Sequence, residues 1–320
     1  MALSNMQVFN EYYKEPIMLT IEQRLQAFNE ASGGAIRLLF NGFDGDFYLR
    51  SFWSRVGMAT RRVDRYAQNA DIDATDLSED KQVFVKVAGG FGPVRFEPSQ
   101  LSWVQKPTAE AVEIVSNAVA DLIVQDMLNT GIGCAVAGIS NNADAKFTAT
   151  NGLTYQAMNN SHALFGDMSN QLITMVMDGA TFHSLIGQNI TNQNNLFNQG
   201  NVRIVDILNK RIVVTDAPQL INSNNRHILT LTQDGIVIRD GGDLITNIDT
   251  RNGKERIETT LQMDYTFGVG LRGYSWDETN GGKSPTNEKL FTGANWVKVE
   301  DGLNVKHTAG VIATGALVLA

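Results

Sequence analysis

The chain has 320 residues, of which 43% are hydrophobic and 19% are charged, and its formal net charge at pH 7 is −8. This composition supports folded cores and excludes wholesale disorder, and the negative charge argues against a general polyanion-binding role. The single cysteine, Cys134, excludes internal disulfide bonds and is expected to be buried, and no run approaches the ~18 apolar residues of a membrane span.

The N-terminal residues predict an extended arm followed by a short amphipathic helix. Thr20 and Gln23 have the spacing of a capping box, which marks the start of a helix. Gly33 and Gly34 are expected to end this helix, because glycine readily adopts the left-handed conformation of a helix terminus. Residues 1–13 lack the pattern of a signal peptide, so we expect a protein that is not secreted.

Opposite charges are segregated in the next segment. Five arginines fall between positions 50 and 65, and five acidic residues fall between positions 71 and 80. Val83, Val85 and Val87 then alternate with other residues as in a strand, and the glycine-rich Gly89–Pro93 follows. We predict a long charged hairpin that projects from the core. A hairpin that is merely solvated explains the pattern as well, because charge runs usually mean solvation.

Downstream, Pro107–Leu128 predicts one uninterrupted helix that ends at Gly131. Apolar residues recur on one of its faces, namely Val112, Val115, Val119, Leu122 and Ile123. Gly131, Gly133 and Gly138 superficially resemble a dinucleotide-binding fingerprint. Because that fingerprint requires a strand before it and a helix after it, we interpret this segment as a loop.

A region of short helices and strands follows. Leu172–Met177 predicts a strand, and Asp178 is placed to cap a helix that runs through Ile190. Residues 202–208 and 211–215 predict a hairpin, and residues 227–231 and 235–239 predict a second strand pair. Since helices and strands intermix without regular alternation, the sequence favours an α+β fold.

One strand is predicted to be very long. Apolar residues occupy the odd positions from Ile257 to Leu271, with Thr259 as the exception, which predicts a strand with one buried face. At about 3.3 Å per residue it would span roughly 50 Å, far more than an ordinary strand. We expect the odd-numbered face to pack against the helix at 107–130. A long helix beside a long strand predicts a plate-like subunit suited to tiling.

The chemical motifs predict no catalytic, cofactor-binding or metal site. Gly273–Asp277 resembles a serine nucleophile elbow but lacks its last glycine and a following helix. Trp276 and Trp296 are expected to pack in a core, since no basic groove accompanies them. The histidines lie far apart, without cysteine or glutamate at ligand spacing: His162, His183, His227 and His307.

The order of the elements resembles the major capsid proteins of tailed bacteriophages, which have the Hong Kong 97-like fold. An arm, a charged hairpin, a long helix ending in Asn129–Gly133, an intermixed domain and one very long strand follow each other as in that family. Ile173–Leu185 and Lys210–Pro218 are similar to its strand-then-helix and strand-turn segments. Thr292–Lys298 resembles the tail of one capsid subfamily.

The resemblance implies a division of the chain. The regions would be an N-terminal arm with a short helix (1–56), an extended hairpin loop (57–100), a peripheral domain (101–131 and 251–275), an axial domain (132–250) and a C-terminal segment (276–320). The hairpin would overlap a neighbouring subunit, and its charges are the candidate intersubunit contacts: Arg61, Arg62, Arg65, Asp71, Asp73, Asp76, Glu79 and Asp80. Some relatives join subunits through a lysine–asparagine bond, but no such crosslink is carried over to Lys81 or Lys86.

The resemblance also implies a function. The protein would be a structural, non-enzymatic subunit that assembles into pentamers and hexamers of an icosahedral shell around double-stranded phage DNA. Its partners would be copies of itself, a separate scaffolding protein, a portal and a decoration protein, without membrane or sequence-specific DNA binding. It would reside in the virion capsid, and in the host cytoplasm during assembly. The negative charge suits an inner face that does not hold DNA tightly.

Two alternatives stay open at this point. An encapsulin-like nanocompartment shell shares the fold, and neighbouring portal and terminase genes would argue against it. An unrelated hydrolase using Ser275 would be exposed by an ester-hydrolysis assay with a Ser275→Ala control.

Overall fold

A computed structural model describes residues 29–30, 32–39, 47–53, 62–66, 68, 79–96, 108–192, 210–253, 255–299 and 303–318. The predicted helix before residue 29 and the predicted strand at 202–208 lie outside these residues. Gly33 and Gly34 have φ values of +62° and +80°, and the amide of Gly34 donates to the carbonyl of Asn29 at 3.1 Å. These two residues therefore end a helical turn as predicted.

The described residues form helices and strands in mixed order. The helices are α1 (Thr108–Asn141), α2 (Tyr155–Ala163), α3 (Gly179–Asn192) and α4 (Asn287–Leu290). The strands are β1 (Ile36–Leu39), β2 (Phe47–Trp53), β3 (Glu79–Phe96), β4 (Lys146–Ala149), β5 (Leu172–Met177), β6 (Arg211–Val214), β7 (Ile221–Asn222), β8 (Asn225–Thr232), β9 (Ile236–Asp240), β10 (Ile245–Arg251), β11 (Glu258–Leu271), β12 (Tyr274–Trp276), β13 (Trp296–Lys298) and β14 (Gly310–Ala316). The α+β class predicted from the sequence is confirmed.

The first sheet is built around the long strand. Its strand order is β1-β9-β11-β3-β2, and β10 also pairs with β11. Strand β11 has 14 residues, about 46 Å at 3.3 Å per residue. It begins one residue later than predicted, and Ile257 is 55% exposed.

One face of β11 is buried along most of its length. The buried side chains are the predicted odd-numbered ones: Leu261, Met263, Tyr265, Phe267, Val269 and Leu271. Helix α1 lies against this face, and the Tyr265 hydroxyl donates to the Asp126 carboxylate at 2.7 Å. The prediction that this face packs on the long helix is confirmed.

Helix α1 does not end at Gly131. It continues for 34 residues to Asn141, about 51 Å at 1.5 Å per residue, so the predicted helix end and the predicted loop are wrong. A Cβ atom at Gly131 would lie 2.6 Å from Cδ1 of Ile238, and one at Gly133 would lie 2.3 Å from Cε1 of Phe291. These glycines are in the helix because only a hydrogen atom fits where the helix meets its neighbours.

The apolar part of α1 is a core helix. Ala118–Asn141 is long and apolar enough to cross a membrane by length and composition, but most of it is buried inside the protein. The same helix holds Cys134, which is fully buried as expected, so burial raises the pKa of its thiol far above the usual range.

The second sheet has the strand order β4-β14-β8-β5-β6, with β7 paired to β8. Residues 227–231 and 235–239 were predicted to pair, but β8 lies in this sheet and β9 in the first. The chain changes sheets at Asp234, which has a φ of +54°. Strand β9 pairs in parallel with β1, so the prediction of a second strand pair is wrong.

The observed strand pairing differs from two of the predicted regions, whose bounds as domains stay a prediction. The predicted axial domain, 132–250, contributes its first residues to α1 and its last strands, β9 and β10, to the first sheet. The predicted C-terminal segment, 276–320, contributes β14 to the middle of the second sheet. Long-range pairing, which no local pattern reveals, determines both differences.

The predicted projecting hairpin is wrong for the residues around Val85. Strand β3 pairs with both β2 and β11, and Val83, Val85 and Val87 are buried. Their alternation marks a strand inside the first sheet, because the neighbouring strands and helix cover that face.

Helix α3 has the predicted cap. The backbone amide of Thr181 donates to Oδ2 of Asp178 at 3.3 Å, and the amide of Gly179 donates to Oδ1 of Asp216 at 3.0 Å. Asp178 is 1% exposed and lies 3.5 Å from Nε of Arg226, so its charge is balanced where it is buried.

Candidate functional site

The exposed segment 62–66 carries part of the predicted contact set. Arg62 and Arg65 are exposed, and Tyr66 is 101% exposed. The Tyr66 amide donates to Oδ1 of Asp64 at 2.9 Å, which turns the backbone locally. Two cations and an aromatic ring thus face outward within five residues. Tyr66 was not among the predicted contacts, although aromatic residues are enriched at protein interfaces.

The structure describes four of the eight predicted contact residues. Glu79 and Asp80 are the first two residues of β3, where they pair with β2. The remaining predicted contacts lie outside the described residues: Arg61, Asp71, Asp73 and Asp76. Their role stays a prediction.

A groove opens on the face of the first sheet opposite α1. It has a volume of about 370 Å³ and lies where β3, β10 and β11 run side by side. Ala88 and Gly90 supply small residues from β3, and Asp264 lies opposite Gly90 in register. A Cβ atom at Gly90 would lie 3.3 Å from Oδ1 of Asp264, so glycine keeps the groove open beside this carboxylate.

The walls of this groove, which we call the Asp243–Asp264 groove, are acidic and apolar. Asp243 accepts from the amide of Thr266 at 3.0 Å, and Asp264 accepts from Nε2 of Gln262 at 3.4 Å. Neither carboxylate forms an ion pair within the part of the chain that the structure describes. Ile245, also in the wall, is 64% exposed.

A third carboxylate lies near the groove. Asp240 ends β9, and burial raises its pKa, with a smaller contribution from the negative charge of Asp243. The surroundings of Asp243 are therefore already electronegative. This arrangement favours a cationic partner rather than an anionic one.

The first sheet extends beyond its core as three strands. Exposed apolar residues occur at the end of β3, in β10 and just before β11, namely Val94, Ile245 and Ile257. Arg95 Nη1 and Glu258 Oε1 form an ion pair at 3.2 Å across the strands. An ion pair across neighbouring strands favours their register.

A second cavity, of about 520 Å³, lies beside the second sheet. Nζ of Lys210 donates there to the carbonyls of Ser169, at 3.0 Å, and Leu172, and burial lowers its pKa. Nε2 of His162 lies 3.1 Å from Oγ1 of Thr230. Burial lowers the pKa of His162 to about 4, and the charge of Lys210 adds to this effect. The Lys210 ammonium group already donates to backbone carbonyls, so we assign Lys210 and His162 a structural role.

The candidate chemical motifs have structural roles. The Ser275 hydroxyl accepts from the amide of Val83 at 3.0 Å, so it joins β12 to β3. Trp276 and Trp296 pack edge to face, with ring centroids 5.0 Å apart, as predicted. Within the described residues, no cluster of three or more His, Cys, Asp or Glu side chains could hold a metal ion.

Comparisons with known proteins give one consistent result. The family described as Gp13-like, major capsid protein 13-like, matches residues 5–312. No curated protein matches the sequence. The fold is similar to the capsid asymmetric unit of cyanophage Pam1, at 11% identity over 87% of this chain and 88% of that chain, with a TM-score of 0.50. It is also similar to a structure from Mycobacterium phage Adephagia, at 8% identity over 91% and 90% of the two chains, with a TM-score of 0.50.

Proposed function

The chain belongs to the Gp13-like family of major capsid proteins, and we propose that it assembles into pentamers and hexamers of an icosahedral shell around double-stranded phage DNA. Its role is structural, and its place is the virion capsid. The family match over residues 5–312 is the observation that carries this proposal. Membership of a capsid family favours a phage shell over the encapsulin-like alternative.

The shape of the described fold supports tiling. Helix α1 and strand β11 are each close to 50 Å long by their residue counts, and they stiffen one sheet along its length. We assign the peripheral role to the first sheet with α1, and the axial role to the second sheet. The residues before β3, together with 62–66, would overlap a neighbouring subunit.

Repeated heterologous contacts would close the shell. A patch on one subunit would meet a different patch on the next, which generates rings when the rotation closes. The charges at Arg61, Arg62 and Arg65, and those from Asp71 to Asp80, would supply part of these contacts. Their separate positions along the chain favour pairing between subunits.

The proposal extends to partners and location. A separate scaffolding protein would guide assembly in the host cytoplasm, a portal would occupy one vertex, and a decoration protein would bind outside. DNA would contact the inner face without sequence-specific binding, and the net charge of −8 suits a face that does not hold DNA tightly.

No hydrolase activity is part of this function. The Ser275 hydroxyl already accepts a hydrogen bond from the sheet backbone, which supports a structural role. Purified protein and the Ser275→Ala variant should show the same ester hydrolysis, at the level of buffer alone.

Sedimentation and electron microscopy test the proposal. We expect the purified protein to form capsomers or shells, alone or when co-expressed with the scaffolding protein of its phage. A compact monomer under every condition, including co-expression, would contradict the proposal.

A further inference from the structure

The segment 62–66 and the Asp243–Asp264 groove have complementary chemistry. The segment presents Arg62, Arg65 and the fully exposed ring of Tyr66. The groove presents two carboxylates without an ion-pair partner among the described residues, beside the exposed side chain of Ile245. The two surfaces therefore carry opposite charges, and each also presents an apolar side chain that could partner the other.

The described part of the chain does not supply this segment with such a partner. Tyr66 is 101% exposed, so its ring packs on none of the described residues, and both arginines are also exposed. A large exposed aromatic ring beside cations is typical of a residue that becomes buried in an interface. Both surfaces are thus open to contact with another copy of the chain.

We propose that segment 62–66 of one subunit docks in the Asp243–Asp264 groove of the neighbouring subunit. Arg65 pairs with Asp264, Arg62 with Asp243, and the ring of Tyr66 lies over Gly90 and against Ile245. The contact is heterologous, so each subunit donates one segment and offers one groove. This inference rests on the proposed assembly function and names the surface that receives the charged segment.

The local structure makes the groove suitable for this partner. Gly90 and Ala88 leave the backbone of β3 uncovered, so a planar guanidinium or an aromatic ring can approach closely. A guanidinium pairs well with a carboxylate because its donors match the two oxygens. Asp264 faces out from the sheet, and among the described residues it accepts a single long hydrogen bond, from Gln262, which leaves it available for such a partner.

The test is charge reversal with rescue. Asp264→Lys should leave the subunit folded, because the side chain is exposed, and should lower the yield of shells about tenfold at low salt. Asp249→Lys is the matched control, since it makes the same charge change at an exposed position of β10 outside the groove. Its shell yield should stay close to that of the wild type.

Rescue identifies the pair. Arg65→Glu should impair assembly like Asp264→Lys, and the double variant carrying both changes should recover shells. Mixing the two single variants should also recover assembly in part, because a groove with lysine can then receive a segment with glutamate. Circular dichroism melting of unassembled subunits verifies folding, and Asp264→Asn replaces the lysine variant if that variant is insoluble.

Distinct outcomes overturn distinct claims. If wild-type protein forms shells and Asp264→Lys forms them equally well, the groove is not the docking surface. If Asp249→Lys is as harmful as Asp264→Lys, or if Arg65→Glu fails to rescue it, the pairing is also wrong. If the wild type never assembles, the proposed function fails and this inference fails with it.

Discussion

The hydroxyl of Tyr265 donates a hydrogen bond of 2.7 Å to the carboxylate of Asp126, and this bond ties the long strand to the long helix. Gly89, opposite Tyr265 on the neighbouring strand, makes room for the ring, because a Cβ atom there would lie 2.4 Å from Cε2 of Tyr265. Burial, together with the negative charge of Asp126, raises the pKa of the phenol well above its usual range. The tyrosine therefore stays protonated and keeps its role as donor.

Removing this hydroxyl should weaken the subunit. Tyr265→Phe leaves the half-buried Asp126 carboxylate without its donor, and we expect a loss of about 1 to 3 kcal/mol in the free energy of unfolding. Urea denaturation of the unassembled subunit measures the change. Tyr66→Phe removes a hydroxyl from a fully exposed ring and should leave the midpoint unchanged. Equal midpoints for wild type and Tyr265→Phe would show that the bond contributes nothing.

The buried face of β11 should not tolerate charge. Phe267→Asp places a carboxylate at a fully buried position, which costs several kcal/mol and is enough to unfold a marginal domain. The variant should accumulate as insoluble protein. Gln262→Asp makes a comparable change on the exposed face of the same strand and should stay soluble. Soluble, assembling Phe267→Asp would contradict the assignment of faces.

Alanine should destabilise α1 at Gly133, although alanine is the better helix former. The added methyl group would lie 2.3 Å from the ring of Phe291, and forcing atoms into a filled core costs about 1 to 3 kcal/mol. Gln125→Ala, at an exposed position of the same helix, should be neutral or slightly stabilising. Thermal melting of both variants compares the two effects, and a raised melting temperature for Gly133→Ala would refute close packing.

Acid should destabilise the second sheet through His162. Its pKa falls from 6.5 to about 4 on folding because burial disfavours the charged ring. The unfolded chain therefore binds a proton between these values and the folded chain does not, so stability is present above pH 6.5 and is lost as pH falls toward 4. Burial also lowers the pKa of His227, which acts in the same direction.

The pH dependence of unfolding tests this. Between pH 7 and pH 4.5, His162→Gln should reduce the fall in stability, which we expect to reach about 2 to 3 kcal/mol from this residue. His183 is exposed, so His183→Gln should keep the wild-type dependence. Identical pH profiles for wild type and His162→Gln would assign the acid sensitivity elsewhere.

Charge reversal in the predicted hairpin should impair assembly without unfolding the subunit. We expect Arg61→Glu with Arg62→Glu to block shell formation, and high ionic strength to weaken assembly of the wild type, because salt screens exposed pairs that each contribute about 0 to 1 kcal/mol. Light scattering measures assembly, and circular dichroism verifies folding. Normal shells from the double variant at low and high salt would remove these arginines from the contacts.

The sequence predicts elements whose pattern is local. The apolar alternation from Leu261 to Leu271 and the helix cap at Asp178 can be predicted from short stretches of sequence, because each depends on neighbouring residues alone. Strand β5 was likewise predicted at its observed bounds. The buried tryptophan pair follows from residue type.

Other features depend on residues far apart in the chain. Gly131 looks like a helix end until Ile238 is seen to fill the space beside it. Val85 looks like part of a hairpin until β11, far downstream, is seen to pair with it. The Asp243–Asp264 groove is formed by three strands, of which β3 is distant in sequence from the other two, so no local motif predicts it. Tyr66, by contrast, is an aromatic residue in a charged segment, and this local pattern could have indicated a contact residue.

Strand β14 determines when the second sheet can be completed during synthesis of the chain. It pairs with β4 and β8, yet it is synthesised about 80 residues after β8, roughly 4 to 16 s later at ribosomal speeds. Until β14 has been synthesised, the edges of β4 and β8 that pair with it cannot form those hydrogen bonds. A nascent subunit therefore completes this sheet only after β14 has been synthesised, which delays its competence to join others and leaves an interval in which chaperones can shield it.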